Sequence, residues 1–279
     1  MTSRPPITPP LLESGIAAIL RGRTADHVDA VAGILIEEGL TCLELTLTTP
    51  GAVPALRRLN ERHPSIAFGA GTVRTVEQAG AALDAGASFL ASPVFDRDIL
   101  SIAASTNIPC YLGAFTPTEI WHAWQAGTAA IKLFPASTGG VAHLREIRAP
   151  LPDIAFFPTG GISLDDISGY LAAGAVGVGI GNSLIGDALH GGDPSQLRNR
   201  ARRAREAVAA FQARSCDSPL SGLGPGSDDV DLDENVHQNG VDRRADGARL
   251  GHEFTVHGVE GGEVSVQIGE VDRCLGDVG

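Results

Sequence analysis

The chain has 279 residues, 43% of them hydrophobic and 5% aromatic, with a formal net charge of −12. That is enough chain for one large domain or two ordinary ones, with ample apolar material for a core. Fourteen acidic residues against four arginines fall from Ser215 onward, so the acidity belongs to the tail and the nearly neutral remainder gives non-specific nucleic-acid binding no support. No apolar run is long enough to span a bilayer. Residues 1–10 are rich in Pro and Thr and lack the charged and apolar regions of a signal peptide, so a cytoplasmic protein is expected. Cys42, Cys110, Cys216 and Cys274 are widely spaced and suggest neither a disulfide framework nor a zinc site, so no metal is expected.

Short apolar runs alternate with amphipathic stretches from the start of the chain to about residue 214. The runs are 15–20, 42–47, 67–72, 89–93, 109–114, 129–135, 155–160 and 176–181. Their starts recur at the interval of one βα unit. Between them, 25–38 puts Val28, Val31, Ala32 and Leu35 on one helical face; 75–85 ends before Gly86 and 165–173 before Gly174. Gly39, Gly86, Gly127 and Gly174 each stand where an αβ loop wants a left-handed residue. Eight such units predict a (β/α)8 barrel over 13–214, with an open doubly wound sheet as the alternative. Residues 215–279 contain twelve glycines and one aromatic residue, Phe254, and read as a disordered acidic tail. Within it, 252–272 alternates weakly, as a hairpin would, and an acidic segment that docks a partner protein is another reading.

In a barrel the chemistry sits at the C-terminal ends of the strands. Lys132, the chain's one lysine, lies in the sixth run, within Ala130-Ile131-Lys132-Leu133-Phe134-Pro135. Burial favours a neutral amine, which can attack a carbonyl. A lysine that snorkels from a strand end is the plainer reading. In the second run, alternation places Glu44, Thr46 and Thr48 on one face, opposite Leu43, Leu45 and Leu47. A carboxylate turned into a barrel needs a partner. Glu44 beside Lys132 would be satisfied, either as a structural ion pair or as a proton shuttle. The seventh and eighth runs end in Thr159-Gly160-Gly161 and Gly181-Asn182-Ser183. Two Gly-rich turns at these positions form the phosphate site of many barrels, although tight βα corners use glycine too. One amine, one carboxylate and an anion cradle together describe Schiff-base aldolase chemistry, which needs no cofactor. His27, His63, His122 and His143 fall in helical or loop stretches and are expected to face solvent.

Several segments now carry a resemblance: Ala18-Ile19-Leu20-Arg21-Gly22, Leu43-Glu44-Leu45-Thr46-Leu47, Gly69-Ala70-Gly71-Thr72-Val73, Ala91-Ser92-Pro93, Ile131-Lys132-Leu133-Phe134-Pro135-Ala136 and Pro158-Thr159-Gly160-Gly161-Ile162. Taken in order, from about Glu13 to Arg214, the chain resembles the class I 2-keto-3-deoxy-6-phosphogluconate and 4-hydroxy-2-oxoglutarate aldolases. The resemblance implies a lyase that releases pyruvate and glyceraldehyde 3-phosphate from a 2-keto-3-deoxy sugar acid phosphate, or pyruvate and glyoxylate from 4-hydroxy-2-oxoglutarate. It implies Lys132 as the Schiff-base lysine and Glu44 as the acid/base. Arg21 and Thr72 would orient the pyruvyl carboxylate. Thr159, Gly160, Gly161, Gly181 and Ser183 would hold the hydroxyls and phosphate. A homotrimer is implied as well.

The chain departs from the family pattern at Thr48, where many gluconate-type members carry an arginine, which leaves the carboxylate to Arg21 and Thr72. Leu112-Gly113-Ala114-Phe115 lacks a proline often found before that glycine, and Phe115 is expected to narrow the site. Two other functions fit the same residues: a phosphate-binding barrel with isomerase or epimerase chemistry, and a non-catalytic sensor of a sugar phosphate.

Overall fold

The computed structural model describes residues 4–216. The tail beyond them, with the disorder and hairpin expected there, lies outside the described residues. Seven parallel strands form one sheet: β1 (Ile16–Leu20), β2 (Cys42–Thr46), β3 (Ala67–Gly71), β4 (Leu90–Ala91), β5 (Cys110–Ala114), β6 (Ala130–Leu133) and β7 (Val178–Ile180), in the order β6-β5-β4-β3-β2-β1-β7. The predicted strand at 155–160 is not regular, because Pro158 has no N–H to give a ladder. It nevertheless bridges both edges of the sheet. Phe157 N–H donates to Ile131 O at 2.8 Å and Thr159 N–H to Leu133 O at 3.0 Å. On the other side, Val176 N–H donates to Phe156 O and Gly179 N–H to Pro158 O, both at 2.9 Å. The sheet is thereby closed, and the expected eightfold barrel is present where the open sheet is not.

All seven strands are shorter than predicted, and at two of them the reason is local. Pairing at β4 stops before Pro93, which lacks a donor. At the end of β2, Thr49 N–H donates to Thr46 O at 2.9 Å, and this turn takes Leu47 and Thr48 out of the strand.

The helices are α1 (Pro9–Ser14), α2 (Val28–Glu37), α3 (Ala52–Arg62), α4 (Val76–Asp84), α5 (Arg97–Ser105), α6 (Pro117–Ala126), α7 (Ala136–Arg148), α8 (Ile167–Ala172), α9 (Asn182–Ile185) and α10 (Pro194–Cys216). Side chains that pair with first-turn amides mark several starts. Thr75 accepts from Gln78 N–H, Asp96 from Asp98 and Ile99 N–H, and Thr116 with Glu119 forms a capping box. Gly39, Gly86, Gly127 and Gly174 all have positive φ, as their positions required.

The closed sheet separates two cores. Leu43 and Leu45 point outward among Leu35, Leu56 and the other helix residues. Inside the barrel lie Cys42, Phe89, Tyr111 and Phe157, with ring centroids 5.5 Å apart for Phe89–Tyr111 and 5.4 Å for Tyr111–Phe157. So narrow an interior needs small residues opposite large ones: a Cβ on Gly69 would strike the Phe89 ring. Leu11 from α1 joins this inner core beside Cys42 and Ala67, at the start of the strands, so it closes that end. Thr8 bonds Tyr111 Oη through its hydroxyl at 2.8 Å and through its N–H at 3.0 Å. The Arg4 guanidinium lies 3.3 Å from the Trp124 ring centroid. Ordered contacts with the barrel therefore begin well before residue 13. Among the described residues no helix is long and apolar enough to cross a membrane.

Candidate active site

Strand alternation decides what enters the barrel. Leu43 and Leu45 face the helices, so Glu44 and Thr46 face inward. On β6, Ile131 and Leu133 face out and Lys132 faces in. β2 and β6 stand four places apart in the sheet order, on opposite sides of an eightfold ring. Their two charged side chains meet across it. Lys132 Nζ donates to Glu44 Oε1 at 3.1 Å and to Oε2 at 3.4 Å, with side-chain exposures of 4% and 1%. Gly71, next to Glu44 on β3, makes the room, since a Cβ there would land on the carboxylate. Burial, and then the Glu44 charge, push the Cys42 thiol well above its ordinary range, so the barrel floor beneath the pair is uncharged.

Above the pair opens a cavity of about 570 Å³. Its lining contains all nine residues singled out in the sequence: Arg21, Glu44, Thr72, Lys132, Thr159, Gly160, Gly161, Gly181 and Ser183. Arg21 Nη2 donates to Thr72 Oγ1 at 3.0 Å. Thr72 has φ +57°, a left-handed conformation that a β-branched residue rarely takes, and strain of that kind concentrates at functional sites. Across the cavity, Gly160 and Gly161 also turn left-handed, at φ +97° and +73°. A Cβ on Gly160 would come within 2.9 Å of the Phe134 ring. Ser183 Oγ donates to Ile162 O at 2.6 Å and ties the two Gly-rich turns together. Among the described residues no acceptor takes the N–H of Gly161, Asn182 or Ser183, so backbone donors in both turns remain for an anion.

Two expectations fail. Phe115 does not line the cavity. It stacks on His143 at 4.5 Å, and its carbonyl pairs with His143 Nε2 at 3.1 Å. His143 is therefore half-buried, as is His63 beside Phe68, whereas His27 and His122 are exposed as expected. Thr48 is exposed in the turn after β2 and does not line the cavity either. Pro93, Phe134, Ser163 and Asn182 do line it and were not singled out. The signal for Ser163 and Asn182 was their place in the same Gly-rich turns. Among the described residues no group of three His, Cys, Asp or Glu side chains is placed to hold a metal ion.

A buried amine paired with a carboxylate, at the open end of a parallel barrel and below a set of free amides, belongs to a lyase of the aldolase class. The model of the KDPG and KHG aldolase family (2-keto-3-deoxy-6-phosphogluconate and 4-hydroxy-2-oxoglutarate aldolases) matches residues 7–198, and the chain belongs to that family. It is 39% identical over 181 residues to the 2-dehydro-3-deoxy-phosphogluconate aldolase of Pseudomonas aeruginosa, covering 64% of this chain and 82% of that one. It is 34% identical over 206 residues to the probable 2-dehydro-3-deoxy-6-phosphogalactonate aldolase of Rhizobium meliloti, covering 73% and 94%. Among solved structures, a native KDPGal structure superposes with a TM-score of 0.67 at 28% identity over 71% of this chain and 96% of that one. The KDPG aldolase of Legionella pneumophila, with pyruvate captured as a covalent carbinolamine, superposes with a TM-score of 0.63 at 28% identity over 74% and 98%.

Proposed function

We propose that the chain cleaves a 2-dehydro-3-deoxy-6-phospho sugar acid, of gluconate or galactonate configuration, to pyruvate and glyceraldehyde 3-phosphate through an iminium on Lys132. The observation that carries this reading is the contact of Lys132 Nζ with both Glu44 oxygens, at 3.1 and 3.4 Å, in the cavity wall. A proton passed to Glu44 frees the amine lone pair, which adds to C2 of the substrate. Glu44 returns the proton to the C2 hydroxyl, water leaves, and the iminium forms. The carboxylate then takes the proton of the C4 hydroxyl. The C3–C4 bonding pair moves into the iminium, the aldehyde departs, and an enamine remains. Protonation at C3 and hydrolysis release pyruvate and restore Lys132. The iminium is the electron sink, so the proposal needs no cofactor.

Arg21 and Thr72 take the carboxylate in this reading. Thr159, Gly160, Gly161, Gly181 and Ser183 hold the hydroxyls and the phosphate, which the free N–H groups of Gly161 and Ser183 support. The Pseudomonas relative is a phosphogluconate aldolase and the Rhizobium relative a probable phosphogalactonate aldolase, which supports either epimer, and the same steps cleave 4-hydroxy-2-oxoglutarate to pyruvate and glyoxylate. We propose further that the enzyme is a cytoplasmic homotrimer, which light scattering on the purified chain tests. The activity is tested by coupling pyruvate release to lactate dehydrogenase with each of the three substrates. The expected result is turnover of a phosphorylated substrate by the wild type and none by Lys132→Met. Retained turnover in Lys132→Met would contradict the proposal and mean C–C cleavage without an imine, whereas a folded wild type that converts the substrate without releasing pyruvate would favour isomerase or epimerase chemistry.

A further inference from the structure

We propose that Thr46 and Thr49 are positioning residues whose buried hydroxyls clamp the backbone on both sides of Arg21 and so aim its guanidinium at the substrate carboxylate. The inference rests on the function proposed above. Arg21 is the one arginine among the described residues that line the cavity. It stands just past β1, whose pairing with β2 ends at Leu20↔Leu45, so no ladder holds its backbone. Two threonines do so instead. Thr46 Oγ1 donates to Leu20 O at 3.4 Å, on the peptide unit before Arg21. Gly22 N–H, on the unit after it, donates to Thr49 Oγ1 at 3.1 Å.

The two hydroxyls also bond each other at 3.1 Å. Each hydroxyl has one proton. With the Thr46 proton spent on Leu20 O, the Thr49 proton goes to Thr46, and Thr49 accepts from Gly22. Thr46 Oγ1 also accepts from the Thr48 hydroxyl at 3.4 Å, and its two lone pairs take both, so one arrangement of donors satisfies the whole set. Thr46 is fully buried and Thr49 is 3% exposed, so water cannot stand in for either. The Gly22–Thr49 bond is shorter than the Thr46–Leu20 bond, which makes Thr49 the stronger hold. The far end of Arg21 is fixed by Thr72 Oγ1 at 3.0 Å. An arginine held at its backbone and at its tip is organised before the substrate arrives, which lowers the cost of binding. Neither Thr46 nor Thr49 lines the cavity, so both act through Arg21.

The test is the exchange of pyruvate methyl protons for deuterium, followed by NMR at varied pyruvate concentration. Thr49→Val keeps the shape and removes the acceptor. It is expected to raise KM for pyruvate about tenfold or more while kcat changes less than about threefold. Thr49→Ser restores the hydroxyl and is expected to restore KM. Arg21→Met raises KM as well, and in that background Thr49→Val adds nothing further. An unchanged KM in folded Thr49→Val, or full additivity with Arg21→Met, overturns the clamp. If Thr49→Val does not fold, Thr46→Val carries the same expectation, and an unchanged KM there overturns it. A wild type that exchanges no protons removes the proposed function and the clamp together, whereas intact exchange with an unmoved KM removes the clamp alone.

Discussion

Alanine in place of Gly71 disturbs the amine–carboxylate pair while leaving both of its residues in the chain. Gly71 ends β3 and pairs with Thr46 on β2. A Cβ there would fall on Glu44 Oε1 and lie 2.6 Å from Glu44 Cγ, whereas ordinary contact begins at 3.4 Å. The carboxylate would therefore have to retreat by more than an ångström. Its bond to Lys132 Nζ is already 3.1 Å long, and such a bond is lost near about 3.6 Å. Two effects of different size follow. Overpacking of this kind costs roughly 1–3 kcal/mol of stability. Displacing a general acid/base costs about 10²–10⁴-fold in rate. The assay is kcat for lactate dehydrogenase-coupled cleavage, with the urea midpoint measured on the same preparation. The expected result is folded protein with kcat down by at least about a hundredfold. A kcat within about threefold of wild type in folded Gly71→Ala would refute the proton-relay role proposed for Glu44.

Lys132→Met leaves the Glu44 carboxylate buried without its partner and should cost about 3–5 kcal/mol in urea unfolding, most of which Glu44→Leu in the same chain should recover; equal stability of wild type and single variant would contradict a tight pair. Burial, then the Asp96 charge, push the Cys110 thiol up to about 12 against a downward pull from Lys132, and Cys42 is shifted in the same direction. Neither should be alkylated at pH 8 in native protein and both should be in urea, by peptide mass spectrometry; native alkylation of either would contradict the buried placement. Bonds from the Thr116 and Phe115 N–H groups hold the Glu119 carboxyl below its ordinary value. Its stabilisation is therefore present above the unfolded carboxylate range and is lost as pH falls through the lower folded value. Glu119→Gln should flatten the acid side of the stability–pH curve, and superimposable curves would contradict the capping box.

The barrel and the residues that gather at the candidate site were both legible, and the details of pairing were not. Lys132 and Glu44 announce themselves because an inward charge on an apolar strand needs a partner, and a barrel offers one from the opposite strand. The Gly-rich turns announce themselves because their glycines recur at two neighbouring strand ends. What the sequence concealed depends on pairing and packing. Residues 155–160 look as apolar as any strand, yet Pro158 breaks the ladder and only the neighbours show that the segment still closes the ring. Leu47 and Thr48 continue the alternation of β2, but the Thr46–Thr49 turn overrides it. Phe115 follows a strand end, as an active-site residue would, and its partner His143 lies 28 residues away. Residues 4–14 carry four prolines and no regular apolar period. That Thr8 and Leu11 close the barrel follows from contacts with Tyr111 and Cys42 that no local pattern encodes.

The central claim is an iminium on Lys132, and covalent capture tests it most directly. The protein is incubated with excess pyruvate, reduced with borohydride, digested and read by peptide mass spectrometry. Lys132 is the only lysine in the chain, so one side-chain amine can respond and the α-amine is excluded by its peptide. The account predicts a reduced pyruvyl adduct on the peptide that carries Lys132 and none in Lys132→Met. Folded wild-type protein with Lys132 unmodified under saturating pyruvate would contradict it.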